Sequence, residues 1–277
     1  MSPLPFHTPH PPTATDAGAH LRRLRRQAGL SQLDLALLAG VSQRHLSCVE
    51  TGRAKASPGT LHALLSALQV PLDQCNEVFL AAGYAPRYLA SAADAPAMKM
   101  VHDAVEHILQ ANNPAPAIVI ASNWDITAAN ASAGLLFAMA GVPTSSTSGL
   151  NLLDTLLRPG GLGDHLVNAD EIRAIAWQRA AREAVSSPDL ARLLQGLPVP
   201  PALAPDTPQS PVVLTRVRTV EGELQFLSTL TTFGMPLDIT VASLRIEHLV
   251  PANSATWQAM KAVYEVWVNE RKQTLSA

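Results

Sequence analysis

Gln32-Leu33-Asp34-Leu35-Ala36-Leu37-Leu38-Ala39-Gly40-Val41-Ser42-Gln43-Arg44-His45-Leu46-Ser47-Cys48-Val49-Glu50 is the stretch whose reading decides the fold. Ser31 stands before it with an acid, Asp34, three residues on, which predicts a capped helix ending near Gly40. Ser42 opens a second helix that ends before Gly52. Two helices that meet at a sharp angle need a small residue where their backbones approach, and Ala36 is small. They need a turn residue tolerant of positive φ, which Gly40 supplies. They need apolar residues to hold the angle, and Val41, Leu46 and Val49 are placed for that. The face of the second helix left over is Gln43, Arg44, Ser47 and Cys48. Gln and Arg side chains read adenine and guanine edges bidentately in a major groove.

Outward from this pair, residues 17–83 read as five short helices. The first covers about 16–28 and stops at Gly29. The fourth opens with Ser57-Pro58, a cap followed by proline at the first helical position. The fifth follows Pro71 and stops at Gly83. Pro3, Pro5, Pro9, Pro11 and Pro12 forbid a helix before that, so residues 1–15 read as a disordered tail. The chain has 277 residues, a prior of about two domains. Net charge is −2, but residues 17–60 hold seven Lys/Arg against two Asp/Glu, a local +5. Such a basic segment is an electrostatic footprint to test for nucleic acid, although a solvated face looks the same. Arg22, Arg23, Arg26, Arg53 and Lys55 are its exposed candidates for phosphate contact, each with a plain solvated charge as the alternative.

Gly29-Leu30-Ser31-Gln32, Ala36, Gly40-Val41-Ser42, Leu46-Ser47 and Glu50-Thr51-Gly52 resemble the Cro/C1-type helix-turn-helix of the XRE family. The resemblance implies an all-α five-helix DNA-binding domain over residues 16–84, whose third helix enters the major groove. It implies that Gln32 contacts a backbone phosphate and that Gln43, Arg44 and Cys48 contact bases. Ser42, Ser47 and Arg53 complete the expected DNA-binding set. The same resemblance implies a structural ion pair between Arg25 and Glu50.

Residues 85–100, with Pro86 and Pro96, read as a linker, and 101–277 as a second domain. A helix at about 97–111 precedes a short apolar strand at 117–120, a turn at Asn123-Trp124-Asp125, a return strand at 126–129 and a helix capped by Asn130. Trp124 reads as packing beneath its turn. Residues 151–157 and 168–195 look helical. Residues 198–211 hold six prolines and read as an irregular loop. Strand-like stretches follow near 212–219, 223–232 and 239–248, and a last helix at about 253–272. Together these predict an α+β domain with an antiparallel sheet.

Ile118-Val119-Ile120, Trp124-Asp125-Ile126 and Ala129-Asn130 resemble the opening of PAS-like domains. With Glu50-Thr51-Gly52-Arg53, Leu80 to Pro86, Val167-Asn168 and Thr231 to Asp238, residues 18–260 resemble regulators carrying a C-terminal MmyB-like ligand-binding domain. A member of that group is associated with a fatty-acyl ligand. An acyl chain needs an apolar cavity with a polar or cationic group at its mouth. Ile118, Ile120, Leu136, Phe137, Ile175, Phe226 and Phe233 are candidates for the wall, Arg179 and Arg182 for the mouth. The apolar residues serve equally as ordinary core, and Arg179 with Glu183 equally as a surface i,i+4 pair.

Neither a nucleophile elbow nor a P-loop occurs, so no enzyme is expected. Pro159-Gly160-Gly161-Leu162-Gly163 follows a helix rather than a strand and reads as a turn. Cys48 and Cys75 are far apart, and no His or Cys spacing suggests a metal site or a cofactor. No apolar run reaches the roughly 18 residues of a membrane helix, and the start lacks signal-peptide character, so a cytoplasmic location is expected. The resemblance implies a homodimeric regulator of double-stranded DNA, bound to an inverted repeat and modulated by a small apolar effector. The alternative keeps DNA binding but makes the second domain a ligand-free dimerisation or interaction module.

Overall fold

A computed structural model describes residues 14–92, 94–142, 149–185, 187–202 and 212–276. The chain divides into two compact units, one reaching to Ser91 and including Pro236–Ala242, the other formed by Ala92–Met235 and Ser243 onward. Residues 1–13 of the expected tail lie outside the described residues, while Ala14 and Thr15 already belong to the first helix.

The first unit holds α1 (Ala14–Gln27), α2 (Gln32–Ala39), α3 (Gln43–Glu50), α4 (Pro58–Ala67) and α5 (Leu72–Ala81). Each boundary has a local cause. Ser31 closes a capping box with Asp34, Gly40 ends α2 in the left-handed region at φ 66°, and the Ser42 hydroxyl accepts the His45 amide to start α3. Ser57 and Pro58 start α4 in the same way. Leu21, Leu35, Leu46, Leu61, Leu64 and Leu65 are almost wholly buried between the helices, with Val78 and Phe79 from α5. α1 crosses the end of α3 so closely that a Cβ at Gly18 would fall on the carbonyl oxygen of Val49. After α5 the chain is clipped by Asn76, whose Oδ1 accepts the Arg87 and Tyr88 amides. Asp238 and Thr240 hydrogen-bond Ser91, which places the 236–242 segment in this unit.

The second unit starts with a short 3₁₀ turn at Pro96–Met98 and α6 (Lys99–Asn112). Its strands are β1 (Ala117–Ile120), β2 (Ile126–Ala129), β3 (Leu214–Thr219), β4 (Gly222–Thr232) and β5 (Arg245–Pro251). They form one antiparallel sheet in the order β2-β1-β5-β4-β3. One face of the sheet carries Ile118, Ile120, Val217, Leu224 and Phe226. Over it lie α7 (Ala131–Met139), α8 (Leu152–Leu157), α9 (Ala169–Glu183), α10 (Pro188–Gln195) and the first turns of α12 (Ser254–Ser276). The other face carries Ala117, Val119 and Ile246 and is covered by Val105 and Leu109 of α6. Burial on both faces explains why β1 is a continuous apolar run rather than an alternating one.

Asn130 is a hub as well as a cap. Its Oδ1 accepts the Ala133 amide at 2.9 Å and the Ala117 amide at 3.0 Å, and its Nδ2 donates to the Ala115 carbonyl at 2.8 Å. One buried amide therefore joins the first strand to the helix that packs over it.

One reading changes. Residues 239–248 are not a single strand: α11 (Ile239–Ser243) comes first, and β5 runs on to Pro251. Asp238 accepts the Thr240 and Val241 amides through Oδ1, a local cap that outweighs the β-branched composition of Ile239-Thr240-Val241. The helical stretch expected over 168–195 is present as two helices, α9 ending at Glu183 and α10 starting afresh from the Ser187 cap and Pro188. Of the proline-rich loop, residues 203–211 lie outside the described residues. The glycine-rich stretch is a turn that leads into a 3₁₀ segment at Leu162–His165.

Gly18→Ala is expected to cost about 1–3 kcal/mol by forcing α1 off α3. Gly59→Ala, where the added methyl meets only open space near Ser57, should be neutral or stabilising. Circular-dichroism melts of the two variants check this, and equal melting temperatures would refute the close helix crossing.

Candidate nucleic-acid interface and effector cavity

The orientation of α3 is set by a buried network at its last residue. Arg25 on α1 donates from Nε to Glu50 Oε1 at 2.6 Å and from its terminal nitrogen to Oε2 at 2.9 Å, a two-point clamp. Gln32 at the start of α2 donates to Glu50 Oε2 at 2.8 Å, and Arg25 also reaches the Leu30 carbonyl. Three helices thus meet on one carboxylate that is 5% exposed. Burial pushes the Glu50 carboxyl up, but the hydrogen bonds from Arg25 and Gln32 and the charges of Arg25 and Arg22 outweigh it. The net shift is downward, so the group stays ionised.

With α3 held this way, Gln43 and Arg44 are exposed at its N-terminal end, and Ser47 and Cys48 are half-buried one turn further on. Gln43, Arg44 and Ser47 therefore share one outer face. Ser42 is exposed, with its hydroxyl engaged as the helix cap. Gln32 is half-buried, and its amide is committed to Glu50 rather than standing free. Arg53 is exposed just beyond α3. Arg22, Arg23 and Arg26 line an open groove of about 560 Å³ along α1, a basic strip that adjoins the Glu50 network. Cys75 is buried, and burial, with the charge of Asp73, pushes its thiol up to about 11.

In the second unit a cavity of about 70 Å³ lies between the sheet and its helices. Ile118, Leu136 and Phe137 line it, as do Leu152, Leu156 and Ile172. Ile120 and Phe226 are fully buried in the same core but do not line this space. Ile175 is half-buried on α9 away from it, and Phe233 packs against the opposite face of the sheet. The arginines read as a mouth go elsewhere. Arg182 is exposed and donates to the Gln178 carbonyl. Arg179 pairs with Glu183 at 3.1 Å and lies 5.0 Å over the Trp124 ring.

The residue that the sequence reading missed here is Arg245. It donates to Glu183 at 2.5 Å and lies 5.4 Å from the Trp124 ring. The Trp124 indole donates to the other Glu183 oxygen at 2.8 Å. Trp124, at φ 68°, is thus held between two arginines and a carboxylate, 3% exposed beneath its turn. Burial raises the Glu183 carboxyl, and the bonds and charge of Arg245, with Trp124 and Arg179, bring it to a net lowering. No spacing rule links positions 124, 183 and 245, so only the sheet could bring them together.

Among the described residues no group of three His, Cys, Asp or Glu side chains could hold a metal ion, and no helix is long and apolar enough to cross a membrane.

A three-helix clamp that presents one polar helix face, followed by an α+β unit with an internal apolar space, defines a two-module regulator. The chain belongs to the MmyB-like transcription regulators: the family model for their ligand-binding domain matches residues 101–262, and a helix-turn-helix domain model matches residues 16–78. It is a transcription regulator with a DNA-binding helix-turn-helix and a ligand-binding domain. An uncharacterized HTH-type transcriptional regulator of Sinorhizobium fredii, y4dJ, is 42% identical over 53 residues, 19% of this chain and 69% of that protein. Among solved structures, the restriction-modification controller protein C.AhdI from Aeromonas hydrophila is 33% identical, with a TM-score of 0.22 over 24% of this chain and 96% of its own. The clp gene regulator ClgR from C. glutamicum is 29% identical, with a TM-score of 0.23 over 30% and 96%.

Because the folded-state value of Glu50 lies below the unfolded one, its stabilisation is complete above the ordinary carboxyl value of about 4.3. It is lost as pH falls through the lower folded value. Glu50→Gln, which strands the Arg25 charge, should cost about 3–5 kcal/mol at neutral pH and flatten this acid-side loss. Melting the wild type and the variant across the acid range checks both. A variant that melts like wild type at neutral pH removes the clamp as the organising contact.

Proposed function

We propose that α3 lies in the major groove with Gln43 and Arg44 reading base edges, and with Ser47 and Cys48 closing against the same base steps. The observation that carries this reading is the exposed Gln43-Arg44-Ser47 face on a helix whose far end is locked by Arg25, Gln32 and Glu50. A recognition helix must be held rigidly for bidentate readout to discriminate bases. Gln32 and Ser42 flank the groove at helix N-termini, where backbone amides favour phosphates. Arg53 and the strip of Arg22, Arg23 and Arg26 supply the cations. The protein acts as a homodimer on an inverted repeat with half-sites about 34–36 Å apart.

The second unit is PAS-like in this reading, its five-stranded antiparallel sheet covering a cavity for a small apolar effector. Effector binding shifts the regulator between states of different DNA affinity, by no more than its differential affinity for them. The size of the cavity supports a compact ligand. A dry cavity that admits benzene measures about 150 Å³, so about 70 Å³ takes only a few carbon atoms without opening. A fatty-acyl chain therefore requires α7 and α8 to move off the sheet. The same small volume favours, as the second reading, a ligand-free dimerisation module.

Arg44→Ala should lose about 1–3 kcal/mol of operator binding and relax discrimination at one base position. Titrating selected operator sequences by fluorescence anisotropy checks it. Affinity should also fall steeply with salt, and Arg22→Ala should reduce the salt slope by about one. Wild-type base discrimination in Arg44→Ala would place another element in the groove.

A further inference from the structure

The effector cavity has a charge at its rim of the sign opposite to the one an acid ligand needs. Of the described residues that line it, Glu247 is the one ionisable side chain, and Thr215 the one hydroxyl. Glu247 sits on β5 opposite Ile118 of β1 and Leu230 of β4. Its side chain therefore shares the face of Ile118 and Leu249, both of which line the space. Its Oε1 takes the Ser228 hydroxyl at 2.5 Å. A carboxylate has about four acceptor sites, so it still accepts an incoming donor.

The nearest cation on the same face of β5 is Arg245, two residues earlier. It is bonded to Glu183, lies over Trp124 and is not part of the lining. Arg179 and Arg182 are outside the lining as well. Apart from one hydrogen bond from the Thr215 hydroxyl, a carboxylate ligand would meet either Leu136, Phe137 and Leu156, where its charge is desolvated, or Glu247, where it is repelled.

Resting on the reading of this cavity as the effector site, we infer that the effector is a compact apolar molecule ending in a hydrogen-bond donor, a hydroxyl or an amine, and not a free fatty acid. Glu247 accepts that donor, and the apolar lining takes the hydrocarbon. Glu247 is thus the residue that sets ligand class.

Propan-1-ol, propylamine and propanoate, short enough for the space, are matched probes for the full-length protein, with binding followed by titration calorimetry at neutral pH. Propylamine and propan-1-ol should bind at least about tenfold more tightly than propanoate. Glu247→Gln, which keeps the shape and an acceptor for Ser228, should raise propanoate affinity towards that of propan-1-ol and weaken propylamine. Ile172→Trp, which fills the cavity from α9, should abolish binding of all three in a protein that still melts cooperatively. Equal binding of the three probes, or a preference for propanoate, in a protein where Ile172→Trp still blocks them would overturn the donor assignment and leave the effector cavity standing. Binding of no probe to wild type or Glu247→Gln, or binding unaffected by Ile172→Trp, would remove the cavity as the effector site and the inference with it.

Discussion

The helical unit depends on one buried carboxylate. Glu50 ends the third helix, and the groups that satisfy it come from the first helix and from the first residue of the second. A buried charge without partners is costly, so the three helices cannot slide relative to one another without exposing or stranding it. Hydrophobic packing of Leu21, Leu35 and Leu46 supplies the driving force but tolerates small shifts. The clamp removes that tolerance. Gly18 belongs to the same constraint, because α1 reaches Glu50 only by passing against the carbonyl of Val49. The pair thus contributes orientation more than net stability, and a recognition helix needs orientation.

The second unit uses a different device. Its sheet is covered on both faces, and Asn130 ties β1, the end of α6 and the start of α7 through one side chain. Far from it, Trp124, Glu183, Arg179 and Arg245 form a polar knot that fixes the turn between β1 and β2 against α9. The apolar space is walled by α7, α8 and α9. Two of these walls are tied to each other as well, because Arg173 of α9 donates to the Leu156 carbonyl of α8.

Most of the helical unit was legible in the residues. Ser31, Asp34, Gly40, Ser42, Ser57 and Pro58 mark helix ends through interactions within three or four residues, which any chain with those residues makes. The strands of the hairpin and the Asn130 cap were legible for the same reason. The segment at 239–248 is a strand only from Arg245, because the Asp238 cap turns the β-branched Ile239-Thr240-Val241 into a helix. On their own helix Arg179 makes the i,i+4 pair with Glu183 that the spacing offered, and Arg182 bonds the Gln178 carbonyl one turn back. What the helix spacing could not show is that Trp124 and Arg245, 55 and 66 residues from Arg179 in sequence, meet at the same Glu183 carboxylate.

By itself the sequence determined the two-module organisation, the helix-turn-helix with its outward Gln43 and Arg44, and the α+β character of the second module. These follow from caps, turns and periodicity, which act over a few residues. Only the tertiary structure decided that Gln32 serves Glu50, that Phe233 backs the far face of the sheet, and that Glu247 rather than an arginine faces the cavity. The reason is the period of two along a strand combined with register across strands. Which face a residue joins, and whose charge it meets there, depends on pairings between segments that no local pattern encodes.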